Sequence, residues 1–322
     1  MKDNHASAAS LLRRLARVAS PLLLCALPLA CVAGQEDALM EDEALGEASQ
    51  ALGGWVPYVW GTTTNLNGAP IGLMDTVCFL NGVAGHLGRG HVAAPGVLST
   101  ARVGSDPTFL GEKLWAHGGA TVDGSGARVW QNNPVSAGAT CFFGAHGSGG
   151  IWESSASTPE WWGVNDISPP VKIANLDPNH RRQCFLKGVS GGSTNWGVDT
   201  GFARVVEVTF TNSSHPTTGW YIESNLTHLQ QFGGRVRVEA GCMDFPVGTV
   251  FTADDESASQ GDTTFTIASQ PGIKACALTG IQGIFQSFDW NNGAVIQWPD
   301  EIDGTWKLKL SAGKKAWWAC AQ

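Results

Sequence analysis

From residue 203 onward the chain alternates strictly, with Val205, Glu207 and Thr209 on one side and Val206, Val208 and Phe210 on the other. A period of two is the signature of a half-buried strand. The stretch around Trp306 repeats it, with Trp306, Leu308 and Leu310 facing one way and Lys307 and Lys309 facing water. Runs with Trp55, Trp60, Ile151, Trp152, Val171, Val247 and Phe251 are short, aromatic or β-branched, and broken by Gly, Pro, Asn and Asp. Such runs predict strands joined by turns. After residue 50 no long window carries a helical apolar stripe, and a short helical turn near 227–232 is the one helix expected.

One phrase organises these strands. Cys78-Phe-Leu-Asn-Gly-Val-Ala-Gly returns as Cys184-Phe-Leu-Lys-Gly-Val-Ser-Gly and as Cys276-Ala-Leu-Thr-Gly-Ile-Gln-Gly. Each copy is followed by a tryptophan, at 115, 220 or 306, and by a closing cysteine, at 141, 242 or 320. The recurring frame selects the pairs 78–141, 184–242 and 276–320, because that scheme gives every unit the same closed loop. The expected fold is therefore all-β, with three tandem small antiparallel β-sandwich or barrel domains at 54–150, 151–246 and 247–322, each closed by one disulfide. Trp115, Trp220 and Trp306 are expected in the three cores.

Composition fits this picture and points to an oxidising compartment. Only 15% of residues are charged, while Gly numbers 41 and Trp 14 in 322 residues. That balance favours twisted strands and turns over solvent-facing helices. The net charge of −8, with no basic stripe, argues against a nucleic-acid partner. Six cysteines at recurring positions, with no CxxC pair among them, read as a disulfide framework made in an oxidising compartment. The chain begins with Lys2, Arg13, Arg14 and Arg17 and continues into a short apolar run ending near Ala30. Residues 1–33 are accordingly expected to be an export signal, with either lipid attachment at Cys31 or cleavage near Ala33. Residues 34–53, rich in Asp and Glu, would form an acidic flexible tether. The protein is expected outside the cell or on the outer-membrane surface, with membrane attachment only through Cys31.

The opening phrase resembles that of secreted and lipoprotein-type repeat proteins of myxobacteria, whose units open with Cys-Phe-Leu-Thr-Gly-[Val/Ile] and end in a cysteine strand. Cys184 and Cys78 open close matches, whereas the third copy has Ala277 in place of the aromatic. The resemblance implies secretion, tandem repetition and, for an anchored form, a multiply acylated cysteine. It brings no activity and no catalytic residue.

Several residues could carry chemistry. Gly188-Val-Ser190-Gly-Gly192 matches the G-x-S-x-G elbow of serine hydrolases. Ser190 is the weak catalytic candidate, with Asp199 and His215 as conceivable partners. Its counterparts are Ala84 and Gln282, so the glycines recur and the serine does not. Gly188 and Gly191 are better read as turn or bulge positions. His86 and His91 are weak metal candidates in a Gly-rich loop without a fixed third ligand. The run from Asp289 to Gly293 has the oxygens of a calcium loop but reads as a hairpin turn. Carboxylates at Asp254, Asp255 and Glu256, and at Asp300, Glu301 and Asp303, would suit a glycosidase only if paired across a cleft. No cofactor is expected.

Aromatic residues give the strongest functional lead. In Trp161-Trp162 and Trp317-Trp318, adjacent strand residues must point to opposite faces, so one ring of each pair is expected outside. Together with Trp290 these are the candidate ligand-binding residues, because flat rings beside polar groups can stack on sugars; packing between units is the competing use. The expected role is an exported non-catalytic binding protein for polysaccharide or another cell-surface component. Its alternatives are a structural or protein-interaction component of the envelope or matrix, and a secreted serine or glycoside hydrolase.

Overall fold

A computed structural model describes residues 59–61, 69–71, 76–87, 99–106, 109–118, 120–122, 125, 128–130, 134–143, 170–178, 181–191, 200–225, 237–245, 247–268, 273, 275–289, 291–299 and 305–322. The signal, the acidic tether, Cys31, His91, Trp161, Trp162, Trp290 and the short turn near 227–232 lie outside them. The described residues belong to one compact unit.

The protein is all-β, built from three disulfide-bonded antiparallel sheet modules. The first repeat supplies β1 (Val59–Gly61), β2 (Ala69–Pro70), β3 (Thr76–Gly85), β4 (Ser99–Asp106), β5 (Phe109–His117), the small pair β6 (Ala120–Val122) and β7 (Arg128–Trp130), and β8 (Val135–Phe143). The second supplies β9 (Val171–Ala174), β10 (Arg181–Gly191), β11 (Phe202–Val208), β12 (Gly219–Ser224) and β13 (Arg237–Phe245). The third supplies β14 (Phe251–Ala258), β15 (Thr263–Ala268), β16 (Ala275–Gly283), β17 (Gly293–Gln297), β18 (Trp306–Leu310) and β19 (Lys314–Ala321).

The cysteine phrase encodes one strand with one bulge. In every copy the register slips between the Leu and the Gly, at Leu80/Gly82, Leu186/Gly188 and Leu278/Gly280. A bulge inserts an extra residue and reverses the phase of the residues beyond it. Cys184, Leu186 and Val189 therefore enter the same core although simple alternation would split them; Cys78, Leu80 and Val83, and Cys276, Leu278 and Ile281, do likewise. In the first and third copies the final glycine ends the strand in a left-handed conformation. Gly85 and Gly283 have φ of 93° and 118°, and a Cβ on either would stand 2.1 or 2.3 Å from a carbonyl oxygen.

Opening and closing cysteines are direct cross-strand partners, Cys78↔Cys141, Cys184↔Cys242 and Cys276↔Cys320. The three disulfides are those pairs. On the chain-entropy account each closed loop stabilises the fold by about 4 kcal/mol.

Within a repeat, the cysteine hairpin packs face to face on a second layer: β3 and β8 on β4 and β5, β10 and β13 on β9, β11 and β12, and β16 and β19 on β17 and β18. Between repeats the layers fuse edge to edge. Strand β4 of the first repeat pairs with β10 of the second, β11 of the second with β16 of the third, and β17 of the third returns to β3 of the first. The resulting sheets run β13-β10-β4-β5-β2, β14-β19-β16-β11-β12-β9 and β1-β8-β3-β17-β18-β15. Each sheet thus contains a cysteine hairpin from one repeat and the second layer of its neighbour, and the connections close a ring of three.

Where the hairpins meet, β3, β10 and β16 pack on one another. Phe79 and Phe185 stand 4.9 Å apart, Phe142 lies 5.5 Å from Phe185, and the third repeat adds Ala275, Ala277, Ala319 and Ala321 to the same cluster. Thr140 Oγ1 donates to Cys276 O at 2.9 Å, tying the first repeat to the third. A buried ion pair, Lys187 Nζ to Glu112 Oε1 at 3.0 Å, ties the second to the first.

Register corrects one expectation. Trp220 and Trp306 are 4% and 1% exposed and sit in the shared core, but Trp115 is only half-buried. Arg102↔Trp115, Arg204↔Glu223 and Val295↔Lys309 are corresponding cross-strand pairs, so the residue three places before Trp115, Glu112, holds the position of Trp220 and Trp306. The first repeat fills that core site with its ion pair to Lys187 instead of an indole.

Candidate functional site

The adjacent pair Trp317-Trp318 divides between the faces of β19. Trp318 is 4% exposed and enters the core, while Trp317 shares the opposite face with Lys315 and remains half-buried. Around Trp317 a row of side chains crosses the sheet. Asp255 of β14 lies opposite Trp317, Trp317 opposite Gly280, Gly280 opposite Arg204, and Arg204 opposite Glu223.

Gly280 allows the row to close. A Cβ there would lie 2.5 Å from Arg204 Cβ and 2.8 Å from Trp317 Cε3, so any side chain would force the two apart. The guanidinium carbon of Arg204 stands 5.3 Å from the centroid of the Trp317 ring, and Lys315 Nζ stands 4.8 Å from it. Cations this close to an indole are attracted by its quadrupole, by about 0.5–1 kcal/mol at exposed sites. Phe202 extends the aromatic surface, 6.4 Å from Trp317.

Both cations are compensated. Glu223 Oε2 accepts from Arg204 Nε at 2.7 Å and lies 2.6 Å from Nη2; its other oxygen lies 2.8 Å from His215 Nε2. Lys315 Nζ meets Asp255 Oδ2 at 2.5 Å. His215 is held by its own loop, where Asn212 Oδ1 accepts from the backbone N–H groups of Ser214 and His215. Tyr221 packs edge-on against the imidazole at 4.8 Å. The arrangement offers a partly exposed indole, a guanidinium with N–H edges beyond those Glu223 takes, and fixed carboxylates. Such a surface can bond hydroxyls and cover an apolar ring face.

Ser190 sits elsewhere and in a different setting. It lies inside β10, paired on one side with Arg237 and on the other with Thr100, and its Oγ is 3.1 Å from Thr100 Oγ1. A nucleophile elbow needs a strand followed by a sharp turn into a helix. Here strand continues through Gly191, and His215 has Glu223 as its carboxylate partner in another sheet.

His86 is 3% exposed at the end of β3, its ring 5.1 Å from that of Phe288. Among the described residues no group of three His, Cys, Asp or Glu could hold a metal ion. In the oxygen-rich turn, Asp289 Oδ1 accepts from Asn291 N at 2.9 Å, and Asn292 Oδ1 accepts from Lys314 Nζ. Asp254 and Asp255 are exposed on the edge strand β14, where burial and these two neighbours raise the Glu256 carboxyl above its usual range. Charges along an edge strand oppose pairing with another chain.

Lys314 is the one strongly perturbed amine among the described residues. It is 2% exposed, lies 5.2 Å from the Phe285 ring centroid, and burial lowers its pKa from 10.5 to about 8. The unfolded chain therefore binds the proton more tightly between those values. Stability should rise with pH across that window and fall as pH drops through 8, by roughly 3 kcal/mol in all. Thermal midpoints measured from pH 7 to 10 should climb in the native protein and stay flat in Lys314→Met; an equal climb in both would remove Lys314 as the cause.

Sequence comparison adds no identity: no protein-family model matches the chain, and no curated protein matches it. No helix among the described residues is long and apolar enough to cross a membrane.

Proposed function

We propose that this is an exported, non-catalytic polysaccharide-binding protein whose ligand surface is the row Phe202, Arg204, Trp317 and Lys315. One observation carries the reading: of the tryptophan pair in β19, one is buried and the other lies partly open within a row of charge-compensated polar groups. The row fits a sugar, whose ring presents both an apolar C–H face and hydroxyls. The basic head and apolar run at the N-terminus, the three disulfides and the resemblance to secreted myxobacterial repeat proteins support export, with lipid attachment at Cys31 as the anchored form.

Sedimentation with insoluble polysaccharides tests this. The protein should pellet with at least one of them, and Trp317→Ala should weaken binding about tenfold or more, as stacking worth about 1.4 kcal/mol requires. A Trp317→Ala protein that unfolds normally and pellets as before would end the proposal. In that event the row would serve packing, and a structural role in the envelope or matrix would take its place.

A further inference from the structure

The glycine that closes the row recurs in each sheet, which allows the surroundings of three equivalent positions to be compared. In the sheet of β10, Gly188 lies opposite Glu239 on one side and Arg102 on the other, and Arg102 lies opposite Trp115. Arg102 Nε meets Glu239 Oε2 at 2.6 Å, and its guanidinium carbon stands 5.2 Å from the Trp115 ring centroid. A Cβ on Gly188 would lie 2.6 Å from Glu239 Oε2. The group of glycine, arginine, carboxylate and indole is the one found around Gly280.

The order, however, is reversed. Around Gly280 the indole comes from the closing cysteine strand and the carboxylate from the strand beyond the arginine; around Gly188 those two places are exchanged. A tryptophan kept for packing would keep its place, because its neighbours belong to that place. Here the places change and the set persists. Nor does the fold require the set, since the third junction is built from Gly138, Gly82, Val295 and Lys309 with none of the three groups. Exposure agrees as well: the side chains of Arg102 and Arg204 are 36% and 34% exposed, while Glu239 and Glu223 behind them are 5% and 14% exposed.

We infer that the chain carries two equivalent sites, one on Trp317 and Arg204 and a second on Trp115 and Arg102, and that both take neutral polysaccharide. This rests on the reading of the Trp317 row as a sugar-binding surface. Each arginine already faces a carboxylate, so an anionic sugar would have to displace Glu223 or Glu239, against a protein of net charge −8. A neutral sugar displaces nothing. It takes donor edges of the guanidinium with its hydroxyls and lays an apolar ring face against the indole. Two sites on one compact unit suit a polymer, because binding at the first raises the effective concentration of repeats at the second.

Affinity electrophoresis of the full chain through native gels containing hydroxyethyl cellulose, laminarin, dextran, galactomannan or xylan, with alginate as the anionic control, tests the inference. At least one neutral polymer should retard the protein. Trp115→Ala and Trp317→Ala should each reduce retardation about tenfold or more, and the double variant should abolish it. Arg102→Gln and Arg204→Gln, which leave both rings in place, should follow the same pattern if a tryptophan variant folds poorly by circular dichroism. Loss through Trp317 and Arg204 alone overturns the second site and leaves the first standing. Retardation by alginate alone overturns the neutral class. Absence of retardation by every neutral polymer overturns both this inference and the reading beneath it.

Discussion

Removal of residues 247–322 should unfold the first repeat as well as delete the third. Strand β3 would lose β17, its partner through Gly82, Val83 and Ala84, and with it the half of the sheet formed by β17, β18 and β15. An unpaired interior edge of this kind leaves N–H and C=O groups and an apolar face without cover. Thr140 would lose Cys276 O, and the hairpin junction would lose Ala275, Ala277, Ala319 and Ala321. The loss should exceed the roughly 5–15 kcal/mol by which domains are stable. Residues 1–246 should therefore show no cooperative thermal transition and no near-ultraviolet circular dichroism from ordered tryptophans. A truncated protein that melts as sharply and at the same temperature as the whole chain would mean that the ring is dispensable.

The second large effect is expected at the junction itself. Phe185 is fully buried, 4.9 Å from Phe79 and 5.5 Å from Phe142, with rings contributed by two repeats. Phe185→Ala should cost about 3–5 kcal/mol, the sum of lost transfer energy and the cavity left behind. Denaturant unfolding should show one transition displaced to lower concentration, not two. Two separated transitions would show that the repeats unfold independently and that the junction couples them weakly.

Much of the repeat was legible because its information is local. The cysteine pairs follow from a phrase that recurs in fixed order, and the opposed faces of Trp317 and Trp318 follow from adjacency in a strand. The bulge beside Gly188 is legible because the glycine recurs in all three copies while Ser190 does not, and the register slips next to it. Pairing between repeats was not legible. Nothing in the local pattern of β4 says that its partner is β10 and not a strand of its own repeat, because edge pairing is set by how three sandwiches pack together. The same limit explains Trp115. Counting from the cysteine equates it with Trp220 and Trp306, whereas register aligns Glu112 with them, and a buried Glu in an indole's place makes sense only once Lys187 of the next repeat is seen beside it. The row around Trp317 was half visible: Trp317 stood out by its neighbour, but Gly280 meets Arg204, and through it Glu223, only across the pairing of the third repeat with the second.

On the proposed reading, sugar meets the indoles beside the motif glycines and not those of the core. Nuclear magnetic resonance of the indole Nε1–H signals, assigned by single Trp→Phe variants and titrated with oligosaccharides of whichever polymer retards the protein, reads this directly. The signals of Trp317 and Trp115 should shift saturably, while those of Trp220, Trp306 and Trp318 stay in place. Saturable shifts confined to other tryptophans, with Trp317 and Trp115 unmoved, would place the sugar elsewhere and end the proposal.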